Sequence, residues 1–223
     1  QTLWAATSRA VRVPARLNED LSLFAPVPFT PPLYVNVEGN DDFDSEKLFS
    51  IEAGWRVAFT EALSGDLALY HNDYRRLLSQ ELRGGISLVP GPRPYLLLPA
   101  VQLNRNEGEV YGGTAELRWQ PVRMWRLDFQ VSAIEFDLDR SPGGTDVNGL
   151  TVEGNSPDVQ AALYSWLSLP YGVSVYTGVR WVNDLPTQNV PSYWAVDLNL
   201  QWQLTAGLEA RARIENVNDA SYL

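Results

Sequence analysis

The sequence contains no cysteine, and this removes a disulfide framework, a cysteine-ligated zinc cluster and thiol catalysis together. It has one histidine, His71, too few to anchor a convincing metal site or a hydrolytic triad. No run of eighteen apolar residues occurs, so no helix is long and greasy enough to cross a bilayer. Basic residues are outnumbered, 17 against 27 acidic, and the net charge of −10 argues against nucleic acid as a partner. No secretory leader is recognisable at the amino terminus, where Gln1 is followed directly by patterned sequence; the chain reads as an internal piece of something longer. Amphipathic helices and fixed-period repeats are also missing.

Alternation is abundant instead. From Val196 to Leu204, apolar Val196, Leu198, Leu200, Trp202 and Leu204 interleave with Asp197, Asn199, Gln201 and Gln203. After Ala206-Gly207, Leu208, Ala210, Ala212 and Ile214 oppose Glu209, Arg211, Arg213 and Glu215. Side chains on a strand point to opposite faces with period two, so this is a hairpin with one greasy and one polar face. The same pattern recurs along the chain and predicts nine strands: Thr2 to Val13, Lys47 to Thr60, Asp66 to about Arg83, Tyr95 to Gln120, Trp125 onward, Val159 to Leu169, Val173 to Trp181, and the two of the hairpin. A bulge is expected near Gly108 or Gly112-Gly113.

The connections alternate too. Those near 14–46, 84–94, 141–157 and 184–191 are long; those near 61–65, 121–123, 170–172 and 205–207 are tight. Antiparallel strands in sequence order then place every long loop at one end and every tight turn at the other. That is the asymmetry of an outer-membrane barrel. Alternation by itself leaves a soluble sandwich or lipocalin-like module open, since there too one face is apolar. The aromatics favour the membrane: Trp119, Trp125, Tyr171 and Trp202 fall near tight turns, Trp181 and Tyr193 near long loops, as two interfacial girdles would. The expected fold is an all-β, antiparallel, up-and-down transmembrane barrel, present in part.

Seven stretches, in order, resemble the TonB-dependent outer-membrane receptors. They are LWAATSRAVRVPAR (3–16), GNDDFDSEKLFSIEAGWR (39–56), LALYHNDYRRLLS (67–79), YGGTAELRWQP (111–121), WRLDFQVSAIEFDL (125–138), EGNSPDVQAALYSWLSLP (153–170) and ARIENVNDASYL (212–223). The resemblance implies that residues 1–223 are the carboxy-terminal portion of a barrel of about 22 strands, plugged by a separate amino-terminal domain. This piece would lack the plug, the TonB-contacting segment and the final strand. It also implies active uptake of a ferric siderophore or similar scarce nutrient across the Gram-negative outer membrane, energised through TonB. The partners would be outer-membrane lipid and lipopolysaccharide, the plug, the TonB complex and a small-molecule chelate. A passive porin or a barrel enzyme remains the alternative within the outer membrane.

No catalytic residue, cofactor or metal is expected. His71, Asp73 and Ser79 invite comparison with a triad but lack a nucleophile elbow and an oxyanion donor. Asp41, Asp42, Asp44 and Glu46 offer oxygen ligands without the spacing of a known cation loop. The candidate ligand-binding residues cluster around one outer loop: Arg75, Arg76, Arg83, Arg93 and Arg105, which would draw an anionic chelate, with Tyr95 and Tyr111. Tyr34 is a further aromatic of this kind. The polar rows Glu52 and Arg56, Glu116 and Arg118, Arg126 and Asp128, Asp197 and Gln201, and Arg211 and Arg213 are expected to line the lumen and contact the plug. Nine strands leave two open edges, so the isolated piece is expected to aggregate.

Overall fold

The computed structural model describes residues 1–146 and 154–218. All twelve strands join one sheet. Nine of them follow one another as neighbours, every pair antiparallel: β1 (Thr2–Arg12), β4 (Glu46–Ala58), β5 (Leu63–Leu82), β7 (Tyr95–Val122), β8 (Trp125–Arg140), β9 (Val159–Leu169), β10 (Val173–Val182), β11 (Tyr193–Thr205) and β12 (Leu208–Ile214). These are the nine read from the alternation. β1 and β12 are the outer strands of this path, and the sheet stays open.

The short connections 59–62, 123–124, 170–172 and 206–207 lie at one end, and the long ones at the other. At 170–172 the chain reverses with Tyr171 at φ 63° and Gly172 at φ 73°, a left-handed pair in which Tyr171 stands fully out from the sheet.

The long stretch 14–46, expected to be irregular, contains a short helix α1 (Arg16–Asp20) and two strands, β2 (Ser22–Val27) and β3 (Leu33–Glu38). β2 and β3 pair as a hairpin, and β3 then adds in parallel to the start of β7, Leu33 opposite Leu96 through Glu38 opposite Val101. A third short strand, β6 (Ser87–Val89), pairs with Tyr95 to Leu97 in the next long loop. Two of the long loops thus fold onto the tall end of β7.

Burial is inverted relative to a water-soluble domain. Phe129, Leu163, Leu200 and Trp202 are exposed, whereas Ser50, Asn106 and Asp128 are buried. Soluble proteins do the opposite with large apolar and charged side chains. At the loop end a small cluster of apolar side chains is buried, where Leu33 and Val37 of β3 lie against Ala100 and Val101 of β7.

Ser165 interrupts the otherwise apolar face of β9. It sits one rung from Trp125, whose indole N–H donates to its hydroxyl at 2.9 Å. An indole donor near an apolar surroundings needs an acceptor. Ser165→Ala is therefore expected to destabilise the folded protein by about 1 kcal/mol, read as a shift in the urea midpoint.

Candidate functional site

The register assigns every predicted lumen residue to a face. Glu52 pairs with Tyr70, and Arg56 with Asp66. Asp66 meets Glu116, which meets Gln130, while Arg118 meets Asp128. Asp128 leads through Tyr164 and Gly178 to Asp197. Arg126 leads through Trp166, Tyr176 and Asn199 to Arg213, and Gln201 meets Arg211. Directly paired residues share a face, so all ten lie on one side of the sheet, opposite the exposed apolar side.

The polar side is ordered by charge. Arg118 donates to Asp128 at 3.2 Å and Arg180 to Asp197 at 3.0 Å. Arg211 pairs with Glu209, and Arg213 with Glu215. The Arg126 guanidinium lies 4.1 Å from the centroid of the Trp166 ring, which packs against Tyr164 and Tyr176. Cation–π stacking holds Arg126, with the Asp128 carboxylate 3.6 Å from its Nε. These aromatics on the polar face were visible in the alternation of β9 and β10 but had not been joined to one another.

The apolar side carries the aromatic margins. Trp119, Trp125 and Trp202 lie toward the tight turns. Toward the long loops, Trp181 pairs with Trp194, ring centroids 6.4 Å apart. Tyr193 belongs to the other face, and its neighbour Trp194 takes the place expected of it.

Along β5, β7 and β8 the polarity of the two faces exchanges at one level. Below it, Leu69, Ala115, Leu117, Phe129 and Val131 form the apolar side, with Asp66, Glu116, Arg118 and Asp128 behind them. The change comes at the rung His71–Tyr111–Glu135. Above it the formerly apolar side carries Asp73, Arg75, Glu107, Glu109, Asp137 and Asp139. The formerly polar side turns apolar at Tyr70 and Ile134, one residue below this rung, and continues with Tyr74, Val110, Phe136 and Leu138 above it. The β7–β8 register runs unbroken from Asn106–Arg140 to Trp119–Leu127, so the exchange lies in the sequence and not in a backbone slip. The run AIEFDLDR (133–140) shows it: alternation persists while its sense reverses.

The reversed stretch forms one wall of a cavity of about 710 Å³. Its apolar lining includes Tyr70, Tyr74, Val110, Ile134, Phe136 and Leu138, with Leu77 and Leu78 beside them; its polar lining includes Arg12, Glu46, Glu52, Asn106 and Asp146. Arg12 reaches Glu46 at 3.2 Å. Asn106 donates through its side-chain nitrogen to the Leu78 carbonyl at 3.1 Å and to Asp146, and the other Asn106 atom, Oδ1, is buried without a protein partner.

The arginine group disperses. Arg75 turns to the outer acidic side and holds Asp73 at 2.7 Å, and that contact keeps the Asp73 carboxyl below its ordinary value. Arg76 pairs with Asp44 at 2.8 Å, and Arg83 reaches Glu38 at 3.6 Å. Arg93 and Arg105 are exposed. Tyr95 packs with Phe24 and Tyr34, which stack at 4.6 Å, and so fastens the β2–β3 hairpin to β7. Tyr111 stands on the outer side at the exchange rung. None of the seven candidates lines the cavity.

Nor do the other groupings assemble. His71 bonds Glu109 at 3.0 Å, and Ser79, buried, donates to the Leu103 carbonyl. Asp44 and Glu46 are engaged by Arg76 and Arg12, and no set of three or more acidic or histidine side chains among the described residues is arranged to hold a metal ion.

A bulge lies beside Gly108, one of the two places expected, in the β5–β7 ladder: the register breaks after the Tyr74–Gly108 pair. β7 passes Gly108 and Gly112-Gly113 in register with β8. The irregularity is on β5 between Tyr74 and Leu77, where Arg76 takes φ 60°, and a second shift between Leu77 and Ser79 compensates it.

Comparisons with known proteins agree with this architecture. No curated protein matches the sequence. Among solved structures, the siderophore receptor PirA from Pseudomonas aeruginosa superposes with a TM-score of 0.69 at 13% identity, over 98% of this chain and 36% of that one. The ferric enterobactin receptor PfeA from the same organism, solved with enterobactin, gives 0.71 at 15%, over 97% and 33%. The copper transporter OprC gives 0.64 at 16%, over 99% and 32%. The chain spans about a third of the length of each, and at these identities the likeness is one of fold. The family model for the TonB dependent receptor-like β-barrel matches residues 1–217, and the chain belongs to that family.

Proposed function

We propose that residues 1–223 form the carboxy-terminal portion of the barrel of an outer-membrane active-transport receptor, which imports a ferric siderophore or a similarly scarce metal chelate with energy delivered through TonB. The observation that carries this reading is the pairing of an exposed apolar band, edged by tryptophans, with a charge-paired polar face behind it. Lipid accepts the first, and a lumen filled by a polar plug accepts the second.

In this reading the tight turns face the periplasm and the long loops face outward. The exchange rung His71–Tyr111–Glu135 marks the outer limit of the hydrocarbon, since acidic side chains begin there on the outer side. From that rung down to Trp119 and Leu127, β7 descends eight residues, about 26 Å along the strand, in keeping with an apolar band about 25 Å tall. The sixteen residues from Tyr95 to Val110 rise about 50 Å along the strand among lipopolysaccharide and the outer medium. The plug, carried elsewhere in the polypeptide, meets Arg118, Arg126, Asp128, Asp197 and Arg211. Nothing in the site calls for a reaction, and the role is transport.

The test is growth. A strain deleted for the intact gene is grown under iron limitation with a panel of ferric chelates. At least one chelate should rescue growth only when both the gene and TonB are present. Rescue that persists without TonB points to a passive porin, and absence of any gene-dependent rescue removes the receptor reading.

A further inference from the structure

We propose that the cavity above the exchange rung receives a ligand that is neutral or positively charged, aromatic or apolar in body and equipped with hydrogen-bond donors, and that it disfavours multiply anionic chelates. This rests on the uptake function proposed above and specifies the substrate class of that site.

Size and surface come first. About 710 Å³ is the volume of a site for a drug-sized molecule. Its wall of Tyr70, Tyr74, Val110, Ile134, Phe136 and Leu138 lies on the face that lower down the same three strands carries Asp66, Glu116, Arg118 and Asp128, so on β5, β7 and β8 apolar surface is concentrated at this level. Such a wall gains from contact with an apolar or aromatic ligand body.

Charge decides the class. Among the described residues of the lining, one cation, Arg12, stands against three carboxylates, Glu46, Glu52 and Asp146. Arg12 is engaged by Glu46, which leaves an excess of negative charge facing the cavity. Asn106 adds an acceptor. Its nitrogen is committed to the Leu78 carbonyl and to Asp146, which fixes the amide's orientation, and its oxygen is buried in the cavity wall without a protein partner. A ligand donor can satisfy it once the side chains that cover it move aside, whereas another acceptor cannot.

The arginines that would have attracted an anion stand away from this wall. Arg75, Arg76 and Arg83 are held by Asp73, Asp44 and Glu38. Around the same height the outer side carries Glu107, Glu109, Glu135, Asp137 and Asp139, so the field over the approach is negative as well.

The experiment uses the full-length gene product, purified from outer membranes in detergent. Three iron(III) chelates of similar size are compared by tryptophan quenching at low and high salt: a neutral tris-hydroxamate, the same chelate bearing a free amine, and a tris-catecholate, multiply negative because three dianions surround one iron(III). The neutral and amine-bearing chelates should bind at least tenfold more tightly than the catecholate at low salt, with the gap narrowing at high salt. Glu52→Gln should reduce the advantage of the amine-bearing chelate about threefold or more, and Phe136→Ala should weaken binding of both favoured chelates. Equal or tighter binding of the catecholate overturns the proposal and leaves the uptake function standing. So does normal selectivity in both variants, since another segment of the protein would then fill the cavity. Binding of none of the three, together with no gene-dependent growth on any chelate, removes the uptake function and this inference together.

Discussion

Val131→Arg is expected to destabilise the folded receptor by about 3 kcal/mol, while Gln130→Arg, one residue along the same strand, should change stability by less than about 1 kcal/mol. Val131 and Gln130 occupy adjacent positions of β8 and face opposite ways: Val131 lies on the apolar side beside Ala115 and Ala161, and Gln130 lies beside Glu116 and Ala162. A guanidinium at Val131 would sit at the middle of the apolar band, four residues from the exchange rung and four from Leu127, where lipid cannot hydrate it. At Gln130 it would meet the carboxylate of Glu116 on a face already populated by arginine. Depth supplies the second comparison. Ala133 is on the Val131 face but nearer the exchange rung, so Ala133→Arg should cost about 1 kcal/mol. The measurement is urea-dependent unfolding of the full-length protein in phospholipid vesicles. Equal losses at Val131 and Ala133 would favour a protein core behind this face over lipid.

That contrast between neighbours was legible in the sequence, because period-two alternation assigns faces without knowledge of partners. So were the nine strands and the sorting of loops, since turn-forming residues interrupt the alternation locally. β2 and β3 were hidden for the opposite reason. β3 is held by parallel pairing with the far edge of β7, some sixty residues away in sequence, and the prolines around it mask whatever local pattern it has. Glycine marked the level of the bulge, beside Gly108, but not the residue that carries it. Arg76 adopts the left-handed conformation instead, and the glycines of β7 serve close approach.

The site was legible only in part. The arginines are neighbours along the chain, but the partners of Arg76 and Arg83, Asp44 and Glu38, come from the preceding long loop, and a composition count cannot pair them. The cavity wall was written in AIEFDLDR and in LALYHNDY (67–74). Reading each strand only as far as its apolar run lasted stopped short of the reversal. A strand that keeps its alternation while exchanging its polarity has passed from one pair of environments to another, and three neighbours doing so at one rung locate the boundary.

Gly112→Val is expected to cost at least about 3 kcal/mol, the upper end for overpacking, and to disrupt the cavity from its floor. Gly112 stands between Tyr70 on β5 and Ile134 on β8. A Cβ there would come within 2.7 Å of the Tyr70 hydroxyl oxygen and closer still to the carbonyl oxygen of Ala133. The phenol can swing aside, but the carbonyl belongs to the β7–β8 ladder and yields only if that ladder opens. Next to it, Gly113 is as tightly placed on the other face, with the Leu69 side chain 2.6 Å and the Ala68 carbonyl oxygen 2.8 Å from a built Cβ. The two glycines therefore let three strands close up at the level where polarity exchanges. Gly85, whose Cβ would meet nothing within 4 Å, is the control, and Gly85→Ala should leave stability unchanged within about 0.5 kcal/mol. Adding Tyr70→Ala to Gly112→Val separates the two contacts. Because the backbone clash remains, the double variant should recover little of the loss; near-complete recovery would place the constraint in the tyrosine instead of the ladder.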